Sequence, residues 1–128
     1  MTRPSTELDA LVHRVLLPGF VGTTAPGWVL RRAERGLGGV VLFSRNVVDG
    51  EQVRSLTGAL HEARPGLLVS VDEEGGDVTR LESATGSSFA GAAVLGAADD
   101  VDLTRATSAG IGALLAESGV DWTLAPDA

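Results

Sequence analysis

A chain of 128 residues with 44% hydrophobic and 21% charged residues is long enough for one folded core, and that composition excludes both a disordered chain and a membrane protein. The formal net charge of −7 arises from 10 basic and 17 acidic residues with no basic stripe, which excludes nucleic acid as a partner and suits a neutral or cationic small ligand. The absence of cysteine removes disulfides, thiolate catalysis and cysteine-ligated metals.

After a polar start, Ser5 or Thr6 can cap a short helix running to about His13. The apolar stretch from Leu11 to Val21 is broken by His13, Arg14 and Pro18 and lacks a small-residue exit, so it is neither a signal peptide nor a membrane span, and a cytoplasmic location is expected. Within it, Val15 to Phe20 reads as a first strand closing at a turn. Thr24, with Pro26 in the first turn, opens a helix that carries Val29, Leu30 and Ala33 toward the core and ends at Gly36, after Arg31, Arg32 and Arg35.

Gly39-Val40-Val41-Leu42-Phe43 is a continuous apolar run bounded by Gly38-Gly39 and Ser44-Arg45-Asn46, the pattern of a parallel strand covered on both faces. A helix should follow, capped by Asp49, with Val53, Leu56 and Leu60 on its inner face, and stopped by Pro65-Gly66. Leu67 to Val71 is the third strand. Residues 73 to 98 form a Gly/Ser/Ala-rich connection, after which Asp99-Asp100 start a helix with Leu103, Ala106, Gly110, Ala113 and Leu114 turned inward; Val120 to Leu124 is the fourth strand. The order β-α-β-α-β-α-β specifies an α/β fold with a parallel sheet and right-handed crossovers, without choosing a barrel over an open sheet. No G-x-G-x-x-G follows any strand, which weakens a dinucleotide-binding reading. With no linker dividing it, residues 1–128 read as a single domain or part of one.

The densest chemistry lies at the end of the third strand, where Val71 runs into Asp72-Glu73-Glu74-Gly75-Gly76, and Arg80 follows eight residues after Asp72. In α/β proteins that end faces the ligand crevice. A carboxylate there can accept two hydrogen bonds from vicinal hydroxyls, or hold a metal; equally, Asp72 can cap the turn or pair with Arg80. Glu73 and Glu74 read either as solvated loop charges or as partners that orient Arg80. Gly75-Gly76 allows positive φ and a close backbone approach. Arg80 can present a planar fork to the same pocket. Arg45 and Asn46 at the end of the second strand are either site-lining groups or a turn in which Asn46 bonds its own backbone. A metal site built from Asp72, Glu73, Glu74 and Asp77 matches no calcium loop, and adjacent carboxylates on an extended chain diverge, so no metal is expected. His13 and His61 are not at ligand spacing, and His61 reads as solvated. Ser44, Ser70 and Ser87 lack a G-x-S-x-G context. No complete catalytic set is present.

Gly39 to Phe43 running into Arg45-Asn46, Val71-Asp72-Glu73-Glu74-Gly75-Gly76 with Arg80-Leu81, Leu95-Gly96-Ala97 and Leu124-Ala125-Pro126 together resemble the N-terminal part of glycoside hydrolase family 3, in its β-N-acetylhexosaminidase branch. Glu73 stands where glutamine is more usual in that family, and Ala90 lies in a segment that often contains proline. The resemblance implies the first half of a TIM-type (β/α)₈ barrel, about four parallel strands with intervening helices, a fold that closes at roughly 250 residues. Residues 1–128 are then a single partial domain. It implies that Asp72 and Arg80 bind a small carbohydrate substrate, with Arg45, Asn46 and Glu74 as further site-lining candidates. It assigns no catalytic residue within the chain, because the family's lysine-histidine motif, its histidine-aspartate acid/base loop and its aspartate nucleophile would all lie beyond Ala128. The implied function is hydrolysis of O-glycosyl compounds as the sugar-binding portion of a retaining β-N-acetylhexosaminidase, removing terminal β-N-acetylglucosamine in carbohydrate metabolism such as cell-wall recycling. The chain alone is expected to be inactive and to need no cofactor. The alternatives are a non-catalytic α/β module that binds a ligand or partner, and a fragment of a family 3 β-glucosidase. An open half-barrel leaves two unpaired strand edges and an apolar inner face, which favours self-association.

Overall fold

The computed structural model describes residues 6–126. Its helices are α1 (Thr6–Arg14), α2 (Gly27–Glu34), α3 (Gly50–Ala63), α4 (Ala92–Ala98) and α5 (Val101–Glu117), and its strands are β1 (Gly39–Leu42), β2 (Leu68–Val71) and β3 (Trp122–Thr123). The strands form one parallel sheet in the order β1-β2-β3. Each crossover therefore advances the sheet by one strand in a constant direction. A doubly wound sheet would reverse at a switch point, whereas a barrel continues in this way.

The register pairs Val40 with Val69 and Leu42 with Val71, so these four fully buried side chains share one face. They join Val29 and Ala33 of α2 and Val53, Leu56 and Leu60 of α3 in one apolar cluster. Helix α3 forms where periodicity and capping agree. The Asp49 side chain accepts from the Gln52 N–H at 2.8 Å, and the Gln52 side chain reaches back to the Val48 N–H at 2.8 Å. For α2, Pro26 sits at the N-cap position with φ −72°, one step earlier than its expected place inside the first turn, and Gly36 closes the helix with φ +96°.

Four expectations need correction. Val15 to Phe20 is not a strand. It runs beside β1 and accepts from the Gly39 N–H at Leu16 O (3.2 Å) and from the Val41 N–H at Pro18 O (3.3 Å). A ladder needs donors in both directions, and Pro18 has no N–H to return. The connection after β2 is not wholly irregular, because residues 92–98 form α4, where alanine content overrides a Gly-containing sequence. The inward stripe of α5 is Ile111 and Leu115, with Leu114 half-buried; Leu103, Ala106 and Ala113 are exposed. The last strand is only two residues long. Of the proposed N-terminal caps, Ser5 lies outside the described residues, and Thr6 opens α1.

Candidate functional site

The C-terminal ends of the strands bring together the polar residues singled out from the sequence. At the end of β1 the chain enters a 3₁₀ turn, Ser44–Asn46. Asn46 is fully buried there. Its Oδ1 accepts from the Phe43 N–H at 3.0 Å, and its amide nitrogen donates to Phe20 O at 3.2 Å and Gly22 O at 2.7 Å. Both amide hydrogens are thus committed to backbone, and the side chain ties the 20–22 segment to the mouth of the sheet. Arg45 is exposed, its Cζ 4.5 Å from the Phe43 ring centroid and its Nε donating to Phe20 O at 3.0 Å.

At the end of β2, Asp72 Oδ2 lies 3.3 Å from Arg80 Nη2, and the two side chains keep 24% and 27% exposure. The pair is formed yet still open to solvent on one side. The loop between them is held by backbone hydrogen bonds, within itself and to Phe89. The Glu74 N–H donates to Val78 O, the Val78 N–H to Gly75 O and the Gly76 N–H to Phe89 O, at 2.9, 3.2 and 2.8 Å. Gly75 has φ +84°, and a Cβ there would lie 2.6 Å from Ala90 O, so both the conformation and the close approach require glycine.

Glu73 is not a solvated loop charge; it is fully buried. Side chains alternate along extended backbone, so the residue after the crevice-facing Asp72 turns the other way, and the returning loop covers it. Its Oε2 accepts from the backbone N–H groups of Arg80 and Leu81, each at 2.9 Å. Sequence reasoning also missed Thr123 of β3. Its hydroxyl accepts from the Glu73 N–H at 3.0 Å and donates to Glu73 O at 2.9 Å, a clasp that depends on parallel register and leaves no local trace in the sequence. Glu74 is half-buried and lines, with Glu73, Leu95, Ile111, Leu115 and Thr123, an open groove of about 650 Å³.

The histidines are placed apart. His61 is not simply solvated: its Nε2 lies 2.9 Å from Asp121 Oδ2, which also accepts from the Val69 N–H at 2.9 Å. His13 Nδ1 meets Asp9 O at 2.7 Å, and its Nε2 meets Arg32 Nη1 at 2.8 Å. Ser70 is buried with its hydroxyl donating to Val40 O at 3.0 Å, so it is a sheet contact. Among the described residues, no three His, Asp or Glu side chains are grouped to hold a metal ion, and no helix is long and apolar enough to cross a membrane.

The sequence model of the glycosyl hydrolase family 3 N-terminal domain matches residues 29–128. The chain belongs to glycosyl hydrolase family 3. Among curated members it is 43% identical over 97 residues to a beta-hexosaminidase of Alkalilimnicola ehrlichii, covering 70% of this chain and 28% of that protein. It is 37% identical over 125 residues to the beta-hexosaminidase of Bordetella pertussis, covering 88% of this chain and 36% of that protein. The chain therefore spans about a third of the length of these family 3 relatives. Among solved structures, it superposes on a family 3 beta-N-acetylglucosaminidase from Paenibacillus with a TM-score of 0.83 at 33% identity, covering 93% of this chain and 24% of that one. NagZ from Neisseria gonorrhoeae, solved in complex with N-trifluoroacetyl-D-glucosamine, gives a TM-score of 0.68 at 25% identity, covering 87% of this chain and 35% of that one. The parallel sheet wound in one direction is accordingly the partial TIM-type barrel of the family 3 N-terminal domain.

Proposed function

We propose that this chain is the sugar-gripping N-terminal portion of a retaining β-N-acetylhexosaminidase that removes terminal β-linked N-acetylglucosamine. The observation that carries the reading is the partly exposed Asp72–Arg80 pair at the C-terminal end of β2, where barrel enzymes place their sites. Asp72 offers two oxygens to vicinal ring hydroxyls, and Arg80 offers a planar set of N–H donors to a hydroxyl or carbonyl oxygen. Each partners the other, and each has a face left for ligand. Arg45 and Asn46, which follow β1, and Glu74, which follows the neighbouring β2, are proposed as further site-lining residues, with Asn46 holding the 20–22 segment in place.

Retaining hydrolysis needs a nucleophile and an acid/base group that protonates the leaving oxygen. Asp72 is paired with a guanidinium and Glu73 is enclosed, so neither is given those roles here. Residues 1–128 act as one partial domain, in the cytoplasm, on a small carbohydrate and without a cofactor. The open edge of the sheet further favours self-association. Titrating the purified protein with N-acetylglucosamine, followed by NMR shifts, tests the reading. Asp72→Ala and Arg80→Ala should each weaken binding by about tenfold or more, the loss expected for one charge-assisted hydrogen bond. Unchanged affinity in both variants would sink it.

A further inference from the structure

Among the described residues, Glu73 is the only buried ionisable side chain. Its Oε1 has no hydrogen-bond partner among those residues, while Oε2 takes two consecutive backbone N–H groups, those of Arg80 and Leu81. Burying a carboxylate is costly unless it is hydrogen-bonded, and the two N–H bonds at Oε2 offset part of that cost. Those bonds are at the far end of the loop. Between Asp72 and Arg80 the chain passes through Gly75 and Gly76, with φ +84° and +58°, where the backbone has the greatest freedom to adopt other paths. The Thr123 clasp fixes the start of this loop at the Glu73 backbone, and the Glu73 side chain fixes its return.

We infer that Glu73 is a positioning residue for the sugar-gripping pair: it anchors the backbone at Arg80 so that the guanidinium comes back to Asp72. The inference rests on the proposed sugar-binding role of that pair. It acts through backbone, so what matters is an oxygen at this position and at this reach. Glutamine supplies such an oxygen, leucine supplies none, and aspartate is one methylene too short.

The test compares Glu73→Gln, Glu73→Leu and Asp72→Ala by two readouts on the purified protein. Hydrogen exchange at the Arg80 and Leu81 amides reports the anchor without reference to any sugar. N-acetylglucosamine affinity reports its consequence. Glu73→Leu should accelerate exchange at those two amides at least tenfold and weaken sugar binding about tenfold. Glu73→Gln should restore affinity to within about threefold while shifting the resonances of the same two amides, because their acceptor has changed chemically. Asp72→Ala should lose sugar binding with the two amides still protected. Unaltered exchange in Glu73→Leu overturns the inference, as does wild-type affinity in that variant. If Glu73→Leu does not fold, an Arg80 and Leu81 pair of resonances indifferent to Glu73→Gln overturns it as well. Wild-type affinity in Asp72→Ala overturns the sugar reading instead, and the amide exchange then decides the anchor alone.

Discussion

Asn46 makes three hydrogen bonds from a fully enclosed position, to Phe43 N–H, Phe20 O and Gly22 O. Replacement by alanine leaves all three backbone groups without their partner, so Asn46→Ala should destabilise the fold by about 2–3 kcal/mol, read as a lower urea midpoint at unchanged slope. Glycines give a sharper contrast. Gly75→Ala forces a Cβ against Ala90 O at a positive φ and should cost at least about 2 kcal/mol. Gly58, inside α3, meets nothing within 4 Å of an added Cβ, and Gly58→Ala should stabilise by about 0.5–1 kcal/mol. Equal effects from the two substitutions would contradict this account of the loop. Much of this is legible locally: a strand ending in Asp72, followed by two glycines and an arginine, marks a turn that must fold back. The burial of Glu73 is not legible, because adjacent carboxylates on extended backbone differ only in which one the distant loop return covers.

Elements were readable where two independent signals coincide. Helix α3 has an Asp49 cap, a buried Val53-Leu56-Leu60 stripe and a Pro65-Gly66 stop, and it forms as its periodicity predicts. Helix α5 has the cap, with Asp100 accepting from the Asp102 and Leu103 N–H groups at 2.9 and 3.0 Å, but its apolar residues surround the axis and set no unique phase. Tertiary contact chooses the phase: Phe89 packs so closely on Gly110 that a Cβ there would sit 2.4 Å from its ring, and this turns Ile111 and Leu115 inward. Ile111→Ala and Leu115→Ala should therefore each cost about 2–4 kcal/mol, whereas Leu103→Ala should stay within about 0.5 kcal/mol, by chemical denaturation. A Leu103→Ala variant as costly as the other two would restore the phase expected from sequence. The first strand fails for a different reason. Apolar content alone predicts Val15 to Phe20 as a strand, yet Pro18 removes the return donor, and the segment lies beside β1 as an acceptor only.

For the molecule as a whole, the order β1-β2-β3 leaves the outer edge of β3 unpaired among the described residues, and the face of the sheet opposite Val40, Leu42, Val69 and Val71 carries Leu68 and Trp122. Leu68 is 43% exposed, and Trp122 and Leu124 are each 45% exposed. An edge of free N–H and C=O groups beside such a patch is a template for strand addition, and the net charge of −7 is the main force opposing it. The proposed self-association should therefore appear in sedimentation velocity as species larger than a monomer, and it should strengthen with added salt as the charge repulsion is screened. Leu124→Lys and Trp122→Lys, on the exposed face and edge, should shift the population toward monomer without lowering the melting temperature by more than a few degrees. A second apolar surface makes the assignment testable: α1 exposes Leu11 at 53%, and Val15, directly after the end of that helix, is 75% exposed. If Leu11→Lys disperses the assembly while Trp122→Lys and Leu124→Lys do not, the helix is the contact and the sheet edge is not. A monodisperse monomer that unfolds cooperatively would show that neither surface associates.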